Sequence, residues 1–392
     1  MAIDSLLFTD DAGGMEAPFR LARGSWTNGQ ARHIGLLLHD FRLGGSERIA
    51  IRLAREWAAR GRRVTLFVGE GSGHLSRLVS PLVSICFYDQ KYERSKWQIR
   101  RLARWAAQAA TAAGVDVMFL PGNSYFRAIP ALSSKLPVLS KLSNPIVRRD
   151  KNPLRNFTFR MATARRWRTL DGLVICSQGQ ADEIHEQVQP QVPVTVITNP
   201  ILDAMPSGIA AKKVPGQFCA VGRLELQKNY PLLLRAFALL GDLPLTLRIA
   251  GDGNLRDELQ RLAEELGLEH RVQFLLTVDN VAPLMAQSEA LLLSSDYEAS
   301  SAVCVEAMAA GTFVIARDCG AGVREILAVP RTGRIVASHT PQAFAAAIRE
   351  YWTTRQGDAV AARAAASNYV IGPIAERYLQ LLDKAAVTRS RE

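Results

Sequence analysis

Cysteine is sparse: Cys86, Cys176, Cys219, Cys304 and Cys319 stand far apart in 392 residues, with no Cys-x-x-Cys pair and no nearby histidine pair. That spacing excludes a disulfide framework and a cysteine-ligated zinc site, and predicts reduced thiols in a cytoplasmic protein. Uninterrupted apolar runs stay short of the roughly 18 residues a membrane helix needs. The amino terminus carries Asp4, Asp10 and Asp11 where a signal peptide would carry a cation, so the chain is expected neither to span a membrane nor to be exported. Asp-x-Asp occurs nowhere, and Gly251-x-Gly253 has Arg256 where a dinucleotide fingerprint has its third glycine. These two absences disfavour a carboxylate-held metal and an NAD-dependent enzyme.

A hydrophobic fraction of 48% with 22% charged residues is that of a folded soluble enzyme, and the length suits two domains. The net charge of +11 is lopsided. Residues 1–200 hold 28 Lys and Arg against 16 Asp and Glu, whereas residues 201–392 hold 20 against 21. An anionic partner is therefore expected on the first half: nucleic acid, an anionic membrane surface or an acidic substrate.

Residues 1–30 show no sustained period and read as a loose amino-terminal arm. From His33–Leu38 onward, short apolar strands trade places with segments of helical spacing, such as Ser46–Arg60 and Trp97–Ala113. A second round is expected to open near Thr195–Thr198 and to run through the strands Gln217–Val221, Thr246–Ala250, Val272–Leu275, Ala290–Leu293 and Phe313–Ala316. Such alternation needs crossover helices over parallel strands. The fold class is α/β: two Rossmann-like doubly wound units, over 31–199 and 200–370, with a carboxy-terminal segment 371–392. Ligands of such sheets bind beyond the carboxyl ends of the strands, so the cleft between the units is the expected site.

Three motifs in the second unit bear on chemistry. Gly222-Arg223-Leu224-Glu225-Leu226-Gln227-Lys228-Asn229 follows a strand and precedes a helix, placing a guanidinium and an ammonium where phosphate oxygens suit them. On spacing alone, two solvated loop cations are the commoner arrangement. Gly251-Asp252-Gly253 allows close backbone approach to a ligand or simply a tight turn. In Ser295-Asp296-Tyr297-Glu298, the acid sits on a loop after a strand, and Ser301-Ala302-Val303 opens a helix carrying Glu306 among small residues. The first N–H groups of that helix favour an anion, and a carboxylate there either accepts from sugar hydroxyls or is solvated.

Taken together, Gly222-Arg223, Gln227-Lys228-Asn229, Ile249-Ala250-Gly251-Asp252-Gly253, Glu298 with Glu306-Ala307-Met308-Ala309-x-Gly311, and Glu325-Ile326-Leu327 resemble the retaining nucleotide-sugar glycosyltransferases of family 4, or group 1, which have the GT-B fold. The resemblance covers about residues 33–385, with Gly44-Gly45-Ser46-Glu47 similar to the family's glycine-rich loop and Asn199-Pro200 to its interdomain junction. It implies that Arg223 and Lys228 hold the donor diphosphate, that Glu306 binds the ribose and that Glu298 faces the donor sugar or its leaving side. Gly45 would approach the phosphate and acceptor from the opposite domain, and the final helix, near Ile374–Ala385, would pack back across the domains. It also implies a nucleotide-diphosphate sugar as donor, no cofactor and no metal, with cations and helix N–H groups stabilising the departing diphosphate.

The sequence departs from the family at Glu298-Ala299-Ser300-Ser301, where relatives commonly read Glu-Gly-Phe, and at Lys141-Leu142-Ser143-Asn144, where many carry a histidine. Lys141 and Asn144, with His39 and Asp40 on the loop after the first strand, are the candidate acceptor-side residues. The segment Lys141–Arg168 holds nine Lys and Arg against the single acid Asp150, interleaved with Phe157, Phe159, Met161 and Trp167. That mixture predicts a face lying on anionic lipid, and with it a lipid-linked or membrane-proximal glycan acceptor of a polysaccharide pathway, reached from the inner face of the membrane. Competing expectations are a nucleotide-sugar epimerase or phosphorylase on the same architecture, and a basic nucleic-acid-binding protein; no nucleic-acid module is legible.

Overall fold

The computed structural model describes residues 29–389, apart from 43, 145, 147–152, 208–211, 242, 277, 279 and 299. Almost all of the expected arm, with Ala299 and the cations Arg148, Arg149 and Lys151, lies outside the described residues. The first lobe begins with β1 (His33–Leu38), α1 (Gly45–Ala59), β2 (Arg63–Val68), β3 (Ser84–Phe87), α2 (Gln98–Ala112) and β4 (Val117–Leu120). It continues through α3 (Ile129–Ser133), β5 (Val138–Leu142), α4 (Pro153–Trp167), β6 (Gly172–Ile175), α5 (Gln178–Gln187) and β7 (Val194–Val196). The second lobe runs β8 (Gln217–Val221), α6 (Tyr230–Ala238), β9 (Thr246–Ala250), α7 (Arg256–Glu265), β10 (Val272–Leu275), α8 (Ala282–Gln287) and β11 (Ala290–Leu293). It ends with α9 (Ala302–Ala309), β12 (Phe313–Arg317), α10 (Ala321–Ile326), β13 (Gly333–Val336), α11 (Pro341–Thr354) and α12 (Ala359–Ala366); α13 (Ile371–Arg389) follows.

The strand orders are β3-β2-β1-β4-β5-β6-β7 and β10-β9-β8-β11-β12-β13, and every pairing between these strands is parallel. Strands such as β1 and β11 are buried at every position, as continuous apolar runs must be when helices cover both faces. One expectation is corrected here. Val194 pairs with Leu173 and Val196 with Ile175, so the run near Thr195 closes the first sheet rather than opening the second. In each sheet the order reverses between the first and fourth strands, β1 and β4 in one and β8 and β11 in the other. Ligands of such open sheets bind outside the carboxyl ends of the strands at these switch points.

The chain crosses between lobes twice, and the crossings run side by side. Ile201 and Leu202 N–H both donate to Tyr369 O (3.0 and 3.1 Å), and Ile371 N–H donates to Leu202 O (2.9 Å). Beyond the second crossing, α13 completes the first lobe's core. Tyr378 is buried against Trp57 and Phe119, with ring centroids 6.2 and 5.5 Å away, and Trp57 Nε1 donates to Ala375 O at 3.2 Å.

Candidate active site

The loops leaving β8 and β11 are zipped together at the second lobe's switch point. Asp296 N–H donates to Gln227 O (2.8 Å), the Ser294 hydroxyl to Lys228 O (2.8 Å) and Gln227 Nε2 to Tyr297 O (2.9 Å). Asn229, at φ 47°, caps α6 through Leu232 N–H and donates its own amide to Asp296 Oδ1 at 2.8 Å. This lacing brings Lys228 Nζ to 2.7 Å from Glu298 Oε1, which also accepts from the Ser295 hydroxyl at 3.0 Å. Behind Glu298, its N–H donates to Cys319 O (2.8 Å), and a Cβ on Gly320 would lie 2.6 Å from Glu298 O. The carboxylate is thus held by two side chains, and the backbone of Glu298 by the Cys319–Gly320 segment. Arg223 does not join the pair: its guanidinium is two-thirds exposed and bonds Glu225 at 2.6 Å.

Gly251 serves the loops themselves. At φ 145°, a Cβ there would fall 2.1 Å from Gly222 O, and one on Gly253 would fall 2.5 Å from Leu224 O. Leu224 N–H donates to Asp252 O (2.9 Å) and Leu255 N–H to Leu224 O (3.0 Å), so backbone packs on backbone. The missing side chain therefore makes room for the neighbouring loop, which is what these glycines do in the structure.

Helix α9 starts beside Glu298 with an open end. Ser301, at its N-cap, gives no side-chain cap, and its buried Oγ has no hydrogen-bond partner among the described residues. The N–H groups of Ala302 and Val303 lie at the positive end of the helix dipole with no side-chain cap from Ser301. One turn further on, burial raises the Glu306 carboxyl above its usual range, and Arg52 and Arg48 of α1, in the opposite lobe, oppose that rise. Arg52 also bonds Ile201 O and Asp203, and Arg55 reaches Asp203 at 2.6 Å, tying α1 to the first crossing. Neither Arg48 nor Arg52 belongs to a motif legible in the sequence.

In the first lobe, Gly45 has nothing within 4 Å of where a Cβ would stand. The loop it belongs to is fixed from below. Glu47, buried in α1, accepts from the Tyr125 hydroxyl and from Arg94, both at 3.2 Å. Arg94 in turn grips Asp40 through Nε (2.6 Å) and Nη2 (2.7 Å). Burial pushes Asp40 up, but hydrogen bonds from Arg94 and the Arg42 N–H outweigh it and hold the carboxyl below its usual range. The His39 ring stacks on Tyr125, with centroids 4.5 Å apart, and its Nδ1 bonds the Tyr92 hydroxyl. Burial, with the Arg94 cation behind it, lowers His39 to about 4, so the imidazole is neutral near pH 7.

His39 and Asp40 are therefore buried supports of the loop rather than groups presented to an acceptor. Lys141 is corrected more fully: it is 0% exposed, its ammonium bonds Asn199 Oδ1, and burial lowers its pKa, so it faces neither an acceptor nor a membrane. Asn144 stays exposed on a loop held by Asn123, whose Oδ1 accepts from Ser143 (2.8 Å) and Asn144 (3.2 Å) N–H. The Ser46 hydroxyl reaches Ser143 Oγ at 3.2 Å, so that loop lies beside the glycine loop. Arg94, Tyr92 and Tyr125 carried no sequence signal, because their partners are 47–86 residues away.

Two Rossmann-like lobes about one cleft, with a charged pair at the second switch point, define the GT-B architecture. Solved structures agree: a glycosyltransferase from Rickettsia africae superposes with a TM-score of 0.72 at 15% identity, covering 90% of this chain and 98% of that one. Anabaena HepE in complex with UDP does so with 0.70 at 21% identity, covering 89% and 98%. A family model described as Glycosyltransferase Family 4 matches residues 43–202, and one described as glycosyl transferases group 1 matches residues 205–368. The two lie end to end across most of the chain, and the protein belongs to this glycosyltransferase family. Among curated relatives, the N-acetylgalactosamine-N,N'-diacetylbacillosaminyl-diphospho-undecaprenol 4-alpha-N-acetylgalactosaminyltransferase of Campylobacter jejuni is 38% identical over 117 residues, 30% of this chain and 32% of that protein. This chain thus spans about a third of the length of the first relatives it matches.

Proposed function

We propose that the protein is a retaining hexosyltransferase that moves a sugar from a nucleotide-diphosphate sugar, held by the second lobe, to a glycan acceptor held by the first. The observation that carries this reading is the Lys228–Glu298 pair, 2.7 Å apart at the mouth of the switch point and beside the open end of α9. Cleavage of the donor's sugar–phosphate bond builds negative charge on the departing diphosphate. Lys228, drawn from Glu298 to that phosphate, and the first N–H groups of α9 oppose the charge from fixed positions. Arg223, on its exposed stem, has the reach to swing from Glu225 to the same group. Glu298, released from Lys228, faces the donor sugar, and Glu306 accepts from ribose hydroxyls. The charge stabilisation is supplied by side chains and backbone, and the reaction is expected to proceed with a chelator present.

The acceptor is proposed to be lipid-linked or membrane-proximal, within polysaccharide biosynthesis. Leu154, Phe157 and Met161 form an exposed stripe along α4, 70%, 56% and 58% accessible, followed by the exposed cations Arg165 and Arg168. Apolar side chains between cations suit an anionic bilayer surface. The Campylobacter relative's name, with its diphospho-undecaprenol, supports the same class of acceptor.

The test is transfer itself. A panel of radiolabelled nucleotide sugars is incubated with membrane lipid extracts and with EDTA, and the product's anomeric configuration is read by NMR. Release of nucleoside diphosphate with label in a lipid or glycan product supports the reading. Conversion of donor alone to an epimer or to a sugar phosphate refutes it.

A further inference from the structure

The first lobe contains a cavity of about 610 Å³ that the donor site does not use. It opens at the carboxyl ends of β1, β2 and β3, where Arg42, Glu70, Phe87, Tyr88, Lys91 and Glu93 are among its lining. We propose that this cavity binds one uncharged sugar ring of the acceptor, with a ring face on Phe87 and hydroxyls on the Glu70 carboxylate. The inference rests on the reading that the first lobe carries the acceptor, and gives that acceptor a place.

Phe87 is 51% exposed, a costly position for a phenyl ring that no described residue covers. It is nevertheless held in place. A Cβ on Gly71 would stand 3.1 Å from the ring, and Phe41 meets it edge-on with centroids 6.5 Å apart. Tyr88 beside it is braced by Trp105 and Tyr92, with centroids at 5.3 and 6.4 Å, and its hydroxyl donates to Gln90 Oε1 at 3.3 Å. The wall at Gly69 is closed, since a Cβ there would fall 2.7 Å from Tyr92 and 2.8 Å from His39 O. A fixed aromatic face beside a carboxylate matches a saccharide, which offers an apolar C–H face and hydroxyl donors around its rim.

Charge argues for a neutral guest. Arg42 pairs with Glu70 at 3.2 Å and Lys91 with Glu93 at 3.3 Å, so each cation on the rim is already matched by a carboxylate. A phosphate would have to break one of these pairs, whereas a hydroxyl adds to them. The cavity is also joined to the glycine loop. Arg42 reaches Asp40 at 3.3 Å, and Arg94 links Asp40 to Glu47 in α1, two residues beyond Gly45. An acceptor ring in the cavity would lie along the same strand ends as the loop that faces the donor.

The test uses saturation-transfer NMR with p-nitrophenyl glycosides of glucose, galactose and N-acetylglucosamine on the full chain, comparing the parent with Phe87→Ala and Glu70→Gln. Thermal protection by nucleotide sugars is measured in parallel on all three proteins. The expected result is glycoside contact in the parent, weakened about tenfold by Phe87→Ala, a loss near 1.4 kcal/mol. Glu70→Gln should weaken it severalfold, and nucleotide-sugar protection should be unchanged in both variants. Absence of glycoside contact in the parent, or contact that survives either substitution undiminished, overturns the assignment. Failure of nucleotide sugars to protect any of the three proteins instead overturns the transferase reading, and the glycoside arm then reports on the cavity by itself.

Discussion

Lys228 Nζ and Glu298 Oε1, 70 residues apart in sequence, stand 2.7 Å apart because the β8 and β11 loops are laced together by backbone and amide hydrogen bonds. Both side chains are mostly withdrawn from solvent, at 19% and 11% exposure, so the pair is shielded more than a surface salt bridge. Under the proposed function, a diphosphate entering the switch point would compete with Glu298 for the ammonium, making donor binding and release of Glu298 one event.

Removing that cation should therefore act on the chemical step. Lys228→Ala is expected to lower kcat by about 10²–10³-fold, the range found when one preorganised charge donor is lost, with a smaller effect on acceptor KM. Steady-state kinetics with saturating donor read this directly. A kcat within threefold of the parent would show that Lys228 does not meet the leaving group.

Glu306 yields a pH prediction of definite sign. Burial raises its carboxyl above the ordinary value, and the two α1 arginines only partly oppose this. A raised folded-state pKa means that the folded protein holds the proton more tightly, so the group's contribution is full below the unfolded value and is lost as pH rises through the folded one. Glu306→Gln, permanently neutral, should then melt higher than the parent at pH 7, with the advantage shrinking towards pH 4, while nucleotide-sugar protection falls. Thermal denaturation across that range measures it, and a variant less stable than the parent at pH 7 would contradict the assignment.

The two lobes are fastened by a second contact. Glu325 of α10 accepts from the Gln178 and Gly179 N–H groups at 3.1 and 2.6 Å, capping α5 from the other lobe. A Cβ on Gly179 would meet Ala321 at 2.6 Å, so α10 packs closely there. Glu325→Ala removes an acceptor and a negative charge at the positive end of a helix, at a cost of about 1 kcal/mol. A melting temperature lowered by a few degrees is expected, with a larger radius of gyration in X-ray scattering. An unchanged radius would mean that this contact does not hold the lobes together.

Much of the second lobe was legible before its coordinates. The strands Gln217–Val221, Thr246–Ala250, Val272–Leu275 and Ala290–Leu293 coincide with β8 to β11, because short apolar runs between turn residues are what a doubly covered sheet requires. What escaped detection had its cause elsewhere in the chain. β3 is an edge strand of four residues, none fully buried, so Ser84–Phe87 lacks a strand pattern. α5 buries only Gln180, Ala181 and Ile184 and is capped partly by Glu325, 146 residues away. Arg223, Lys228, Glu298 and Glu306 could be read as motifs on loops and a helix. The network that joins buried Asp40, Glu47 and Tyr125 to Arg94 is tertiary, and local spacing carries no trace of it.

The exposed stripe of α4 makes its own prediction. The parent should co-sediment with vesicles containing phosphatidylserine, and less so as salt rises, since each cation near the headgroups contributes about 1 kcal/mol. Phe157→Ser with Met161→Ser should weaken binding at every salt concentration without lowering the melting temperature, because both side chains are more than half exposed. Equal binding to neutral and anionic vesicles would count against this surface.

The most direct measurement is thermal protection by a panel of nucleotide-diphosphate sugars, run on the parent and on Glu306→Ala. At a hundredfold excess over Kd, a specific donor stabilises the folded state by about 2.7 kcal/mol. The account predicts that one donor raises the parent's melting temperature and leaves that of the variant almost unmoved. Equal protection of both proteins would contradict it.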